Sequence, residues 1–97
     1  MRVLITGSAG QIGTNLVTGM KERHQLRGLD RVPTPDLEDS VVGDIADFDV
    51  VLEATRDMDA VIHLANVGSE WEKALQSMVG SYNVFEAAQQ NSVKRVA

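Results

Sequence analysis

Apolar positions change their spacing several times along this 97-residue chain. Arg2-Val3-Leu4-Ile5-Thr6 is a short, unbroken, β-branched run ended by Gly7, the pattern of a strand buried on both faces. From Gln11 the spacing lengthens to four: Ile12, Leu16 and Met20, with Val17 beside them, mark one face of a helix reaching to about Arg23. Gly19 weakens that helix and suggests close packing on a sheet. Gln25 to Asp30 reads as a second strand, interrupted by Gly28. The next stretch, Arg31 to Ser40, holds Pro33 and Pro35 with Asp36, Glu38 and Asp39, and reads as a solvated loop. A short third strand follows at Val41-Val42-Gly43. Asp47 is then placed as the N-cap of a helix carrying Val50, Val51, Leu52 and Ala54. A fourth strand covers Val61 to Ala65, and a loop runs from Asn66 to Ser69. Glu70 to Gln90 is a long helix whose expected core face is Trp71, Leu75, Met78, Val79, Tyr82 and Phe85. Val93 to Ala97 opens a fifth strand.

Strand and helix alternate throughout, which predicts right-handed βαβ units and one α/β domain over residues 1–97. The expected architecture is a three-layer sandwich with a parallel sheet in the order 3-2-1-4, leaving room for the fifth strand. The pattern stops inside a strand, so the expectation is a truncated or fragmentary chain. Composition, 43% hydrophobic and 24% charged, is ordinary for a globular domain. A net charge of −5 argues against a basic nucleic-acid surface. The absence of cysteine removes disulfides, thiol catalysis and cysteine-based zinc sites, and no metal-ligand spacing stands out. No segment approaches the ~18 apolar residues of a membrane span. Val3 to Ile5 is too short for a signal-peptide core. A soluble cytoplasmic protein is the expectation, with neither membrane nor nucleic acid as partner.

Chemistry enters at the first strand–helix junction. Gly7 permits a tight turn, Gly10 lets backbone approach a pyrophosphate, and Gly13 lets the helix pack near the strand. Unpaired N–H groups at a helix start favour phosphate, so a dinucleotide is the leading ligand; a plain β-turn-α junction is the alternative. Asp30 closes the second strand 17 residues after Gly13. A carboxylate there can accept both hydroxyls of an adenosine ribose and would repel a 2′-phosphate, which favours NAD over NADP. Arg31 follows and keeps NADP as a lesser alternative, and a solvated strand-end carboxylate is the other reading of Asp30. In Gly43-Asp44-Ile45, Asp44 can accept from an adenine amine and Ile45 can pack on the ring; a capping aspartate is the competing reading. His63 sits mid-strand among apolar residues and reads as a buried, hydrogen-bonded histidine, whereas His24 near a helix end reads as solvated.

Thr6-Gly7-Ser8-Ala9-Gly10-Gln11-Ile12-Gly13 resembles the TGxxGxxG of the extended short-chain dehydrogenases/reductases, the NAD-dependent epimerase/dehydratase family. Asp30, Gly43-Asp44-Ile45 and Asp59-Ala60-Val61-Ile62-His63-Leu64-Ala65 stand where that family has its next motifs. Gly80-Ser81-Tyr82-Asn83-Val84-Phe85-Glu86-Ala87-Ala88 resembles its GTxNxLEAA helix. The resemblance covers nearly the whole chain, and the loop from Asn66 to Glu70 with the helix after it is most similar to the uronate dehydrogenase branch. It implies a truncated Rossmann fold, with Gly7, Gly10, Gln11, Ile12 and Gly13 on the pyrophosphate. By the same resemblance Asp30 would hold the adenine ribose, Asp44 and Ile45 the adenine, and Leu64, Ala65 and Asn66 the nicotinamide side. Ser77 departs from the asparagine usual three residues before the glycine of the long helix. The family's catalytic serine and Tyr-x-x-x-Lys pair lie beyond the fifth strand. Here the one tyrosine, Tyr82, has Glu86 four residues later, so no catalytic residue is assigned and Tyr82 is expected to pack in the core. The function implied is the NAD-binding portion of an oxidoreductase or epimerase acting on sugars or nucleotide sugars, without activity as this chain. The alternative is a non-catalytic, self-associating or purely structural fragment. Missing strands would leave the fourth or fifth strand as an exposed apolar edge, and a homodimer through that edge is expected.

Overall fold

The computed structural model describes residues 1–65 and 71–97, with the side chains of residues 71–74 excluded. Five strands, β1 (Arg2–Thr6), β2 (Gln25–Asp30), β3 (Ser40–Val42), β4 (Ala60–His63) and β5 (Arg95–Val96), form a sheet in the order β3-β2-β1-β4-β5. Every pairing is parallel. Helices α1 (Gln11–Met20), α2 (Phe48–Ala54) and α3 (Trp71–Gln90) connect them. The expected strand order holds, and the fifth strand adds outside β4.

The side-chain alternation of β1 builds the three layers. Val3 and Ile5 pack with Val17 and Leu26 in one apolar cluster, to which Leu16 and Met20 of α1 add. Leu4 points the other way, into a larger cluster with Leu29, Val51, Ala54, Val61, Val84 and Ala87, which joins α2 and α3 to the sheet. Arg27 ties β2 to the end of α2: its guanidinium donates to the main-chain oxygens of Ala54 and Arg56 at 2.9 and 3.0 Å and pairs with Asp39 at 3.0 Å. Asp47 caps α2 as expected, accepting from the Asp49 N–H at 3.1 Å.

Several boundaries and faces differ from the sequence expectation. The first helix stops at Met20, where the N–H groups of Arg23 and His24 turn back onto the Met20 carbonyl. Gly19 meets nothing within 4 Å, so its place is open surface and not the sheet. Ile12 is 66% exposed, because the helix start stands clear of the strands. Gly28 does not interrupt β2. A Cβ there would lie 2.5 Å from both Ser8 Oγ and Thr34 Oγ1, a hydroxyl pair that crosses over the strand. His24 is half-buried, not solvated, and its Nδ1 has no partner among the described residues.

The largest correction concerns α3. Leu75, Met78, Val79, Tyr82 and Phe85 are exposed, and the buried face is Gly80, Asn83, Val84, Ala87 and Ala88. Both stripes have helical spacing. The small-residue stripe faces inward because helix and core lie too close for bulk: a Cβ on Gly80 would stand 2.3 Å from Ile45 Cδ1. The side chain of Trp71 and the loop expected at 66–69 lie outside the described residues.

Candidate functional site

The chain leaves β1 at Thr6 into a turn that only glycine takes without strain. Gly7 has φ +74°, and a Cβ on it would lie 2.8 Å from the Ala65 nitrogen. Its N–H donates to the Leu29 carbonyl at 2.8 Å, which ties the turn to β2. Gly10 takes the N-cap position of α1 in extended conformation, with no side-chain cap and no acidic residue in the first turn. The opening N–H groups of such a helix have no intrahelical acceptor, and the helix dipole makes them a seat for an anion. Gly13 is buried behind the loop, where a Cβ would stand 2.2 Å from the Gly7 oxygen, so its place is close packing. Gln11 and Ile12 are exposed at the helix start.

Asp30 closes β2 and faces this turn. Its Oδ2 accepts from the Ala9 N–H at 2.9 Å and its Oδ1 from the Arg31 N–H at 2.7 Å. A carboxylate offers about four acceptor positions. Each oxygen therefore keeps capacity for a ligand hydroxyl while the pair of N–H bonds fixes the side chain's direction. Asp44 is more fully engaged: Oδ1 accepts from the Ala46 N–H at 2.9 Å and Oδ2 pairs with the Arg31 guanidinium at 3.1 Å. Ile45 is buried, and Asn83 holds its carbonyl with an Nδ2 donation of 2.9 Å.

These pieces meet at the carboxyl ends of the strands in a cleft of about 270 Å³. Gly7 and Gly10 line it from the first turn, Asp30 and Arg31 from the end of β2, Gly43 and Ile45 from beyond β3, and Leu64 and Ala65 from beyond β4. The position follows the general rule for open α/β sheets, in which ligands sit where the strand order reverses, here between β1 and β4. Six of the residues singled out from the sequence line the cleft directly. Asn66 lies outside the described residues. An uncapped helix start, a cleft-lining carboxylate with spare acceptor capacity and an apolar wall fit a dinucleotide. Asp44 would have to share its oxygens between Arg31, Ala46 and an adenine amine.

Other contributors were hidden from sequence reading because they act across elements. Thr6 Oγ1 lies 2.6 Å from His63 Nδ1 and accepts from the Leu64 and Ala65 N–H groups at 3.1 and 3.2 Å. His63 Nε2 lies 3.0 Å from Ser81 Oγ, and burial pushes the imidazole below its ordinary 6.5. The sequence reading of His63 as hydrogen-bonded holds, but the side chain is half-buried and not fully buried. Ser8, fully buried, lies 2.5 Å from Thr34 Oγ1 and so draws the proline-containing loop back over β2.

Comparison with known proteins agrees with this geometry. The NAD dependent epimerase/dehydratase family matches residues 3–97. The chain is 36% identical to a 3-beta-hydroxysteroid dehydrogenase of Mycolicibacterium neoaurum, over 97% of the chain and 30% of that protein. It is 32% identical to an L-arabinose 1-dehydrogenase (NAD(P)(+)) of Haloferax volcanii, over 98% of the chain and 39% of that protein. Among solved structures, a mutant uronate dehydrogenase from Agrobacterium tumefaciens complexed with NAD superimposes with a TM-score of 0.88 at 30% identity, over 98% of this chain and 38% of that one. The chain thus spans about a third of the length of these relatives. With a family match running from residue 3 to residue 97, the chain belongs to the NAD-dependent epimerase/dehydratase family.

Proposed function

We propose that this chain is the NAD-binding portion of an oxidoreductase or epimerase acting on a sugar or nucleotide sugar. The observation that carries the reading is the pairing of Asp30 with the glycine turn: Ala9 and Arg31 aim its carboxylate into a cleft that Gly7 and Gly10 line. Gly10, Gln11 and Ile12 would face the pyrophosphate, Asp30 the adenine ribose, Asp44 and Ile45 the adenine, and Leu64, Ala65 and Asn66 the nicotinamide side. Bound NAD would supply a hydride acceptor; these residues bind and orient it and exclude water from one wall. A 2′-phosphate would bring negative charge against Asp30, which supports NAD over NADP. The relatives' names cover steroids and sugars alike, and the likeness to uronate dehydrogenase supports a sugar acid within that range. The chain's own residues include no Tyr-x-x-x-Lys pair, since Glu86 stands four places after Tyr82. We therefore expect binding without turnover by the 97-residue chain.

Titration calorimetry tests this. NAD should bind more tightly than NADP, and Asp30→Ala should weaken NAD by about 10- to 100-fold, the loss of hydrogen bonds to a charged group. Equal NAD affinity in the variant and the parent chain would refute the reading. Steady oxidation of a uronate by the purified chain would refute the expected lack of turnover.

Self-association is a second reading, favoured by one observation. The five large apolar residues on the outer face of α3 are exposed, and between Leu75 and Phe85 that helix carries no charge. A second copy is the partner that such a face accepts without opposing like charges. Edge strand β5, by contrast, is two residues long with exposed Arg95, a weak template for pairing. Light scattering that returns a monomer at high concentration excludes it.

A further inference from the structure

Thr6, His63 and Ser81 come from β1, β4 and α3, yet form one hydrogen-bonded line. Counting donors along it places the threonine and imidazole protons. A threonine hydroxyl has one hydrogen and two lone pairs. The Leu64 and Ala65 N–H groups both point at Thr6 Oγ1, the former shared with the Thr6 carbonyl at 3.0 Å. The lone pairs are thus taken, and the hydroxyl hydrogen goes to the atom that remains, His63 Nδ1. A neutral imidazole that accepts at Nδ1 carries its hydrogen on Nε2. There it donates to Ser81 Oγ.

We propose that His63 is a positioning residue of the dinucleotide cleft, locked as the Nε2–H tautomer so that Thr6 can gather the Leu64 and Ala65 main chain into the wall of that cleft. The geometry gives this line its reach. Leu64 and Ala65 line the cleft, and their main chain lies so close to Gly7 that a Cβ on Gly7 would meet it at 2.8–3.0 Å. An error of a few tenths of an ångström in the wall is therefore felt by the glycine turn. Protonation of His63 breaks the pattern. An imidazolium presents N–H on both sides, and the Nδ1–H then meets an oxygen whose lone pairs are already used. The Ala65 N–H, at 3.2 Å the longer of the two amide contacts, is the one released. The groups around the ring leave this chain in control. Thr6 and Ser81 are uncharged, Arg2 lies at the opposite end of β1, and Glu86 is five positions beyond Ser81 on α3. Arg95 pairs with Ala60, three positions before His63, and the main-chain oxygen of Ala97 accepts the His63 main-chain N–H at 2.7 Å, not the ring.

The inference rests on the proposed nucleotide role only for the identity of the ligand, and its test separates the two. Nitrogen-15 spectra of the whole chain are followed from about pH 8 to about pH 5, across the range in which histidine titrates. We expect bare Nδ1 and protonated Nε2 at high pH, and Leu64 and Ala65 amide shifts that move with the titration of His63. NAD affinity should fall about 3- to 10-fold over the same range. Thr6→Ser, which keeps the hydroxyl, should preserve the tautomer and the coupled shifts; Thr6→Val should abolish the coupling. His63→Asn retains an acceptor for Thr6 but has no proton to gain, so its NAD affinity should be flat with pH. A protonated Nδ1 at high pH, or Leu64 and Ala65 amides indifferent to the His63 titration, overturns the inference. Coupled amides with no NAD binding at any pH would uphold the lock and refute the nucleotide reading instead.

Discussion

Asp30 and Gly13 serve the same turn in different ways, and substitution separates them. Asp30 spends one bond of each oxygen on the backbone of the site, Ala9 on one side and Arg31 on the other. Its loss should therefore cost affinity first and folding second. Gly13 is buried, and a Cβ on it would lie 2.2 Å from the Gly7 main-chain oxygen. Gly13→Ala should lower stability by about 3 kcal/mol, read from the urea midpoint, because backbone cannot move aside as a side chain does. If Gly13→Ala folds as well as the parent, the close packing of turn and helix is wrong. Asn83 is a third residue of this kind: buried, it holds the Ile45 carbonyl that backs the cleft. Asn83→Leu would leave that carbonyl without its partner and should cost about 1–3 kcal/mol.

At the scale of the element, α3 carries two apolar stripes and only one is core. Neighbouring residues make the contrast direct. Val84 is fully buried in the cluster joining α2, α3 and the sheet, while Phe85, one position on, is 58% exposed. Val84→Ala should cost about 2 kcal/mol. Phe85→Ala should stay within about 0.5 kcal/mol, although it removes the larger side chain. Chemical denaturation of the two variants decides it, and the reverse ranking would restore the face that the sequence pattern favours. The short helix α2 offers a smaller check. Asp47 satisfies one N–H of its first turn, and Asp47→Ala should cost about 1 kcal/mol.

At the scale of the whole molecule, stability is tied to pH through His63, whose imidazole burial pushes below its ordinary 6.5. The sign follows from proton binding. Between the lowered folded value and 6.5 the unfolded chain holds more protons, so stability rises with pH across that window. The contribution is fully present above about 6.5 and is lost as the pH falls through the folded value. A urea midpoint that declines on acidification in the parent chain, but less steeply in His63→Asn, is the expected outcome. No helix among the described residues is long and apolar enough to cross a membrane.

Much of this protein was settled by sequence alone. The short buried strands, the glycine turn, the carboxylate ending β2 and the alternation of periods are local facts, each fixed by a few neighbouring residues. They were enough for the sheet order, the family and six residues that line the cleft. Tertiary structure decided what depends on distance between elements. Which face of α3 turns inward follows from how near it lies to Ile45, a clearance invisible in a pattern of apolar letters. That Gly28 continues its strand, that Gly19 is open surface and that Ser8 reaches Thr34 are decided in the same way. The Thr6–His63–Ser81 line joins residues up to 75 positions apart, and its proton order depends on two further N–H groups that arrive only when β4 docks beside β1. Periodicity reports what a segment prefers; clearance and hydrogen-bond count are properties of the packed molecule, and those two decide how the cleft is held.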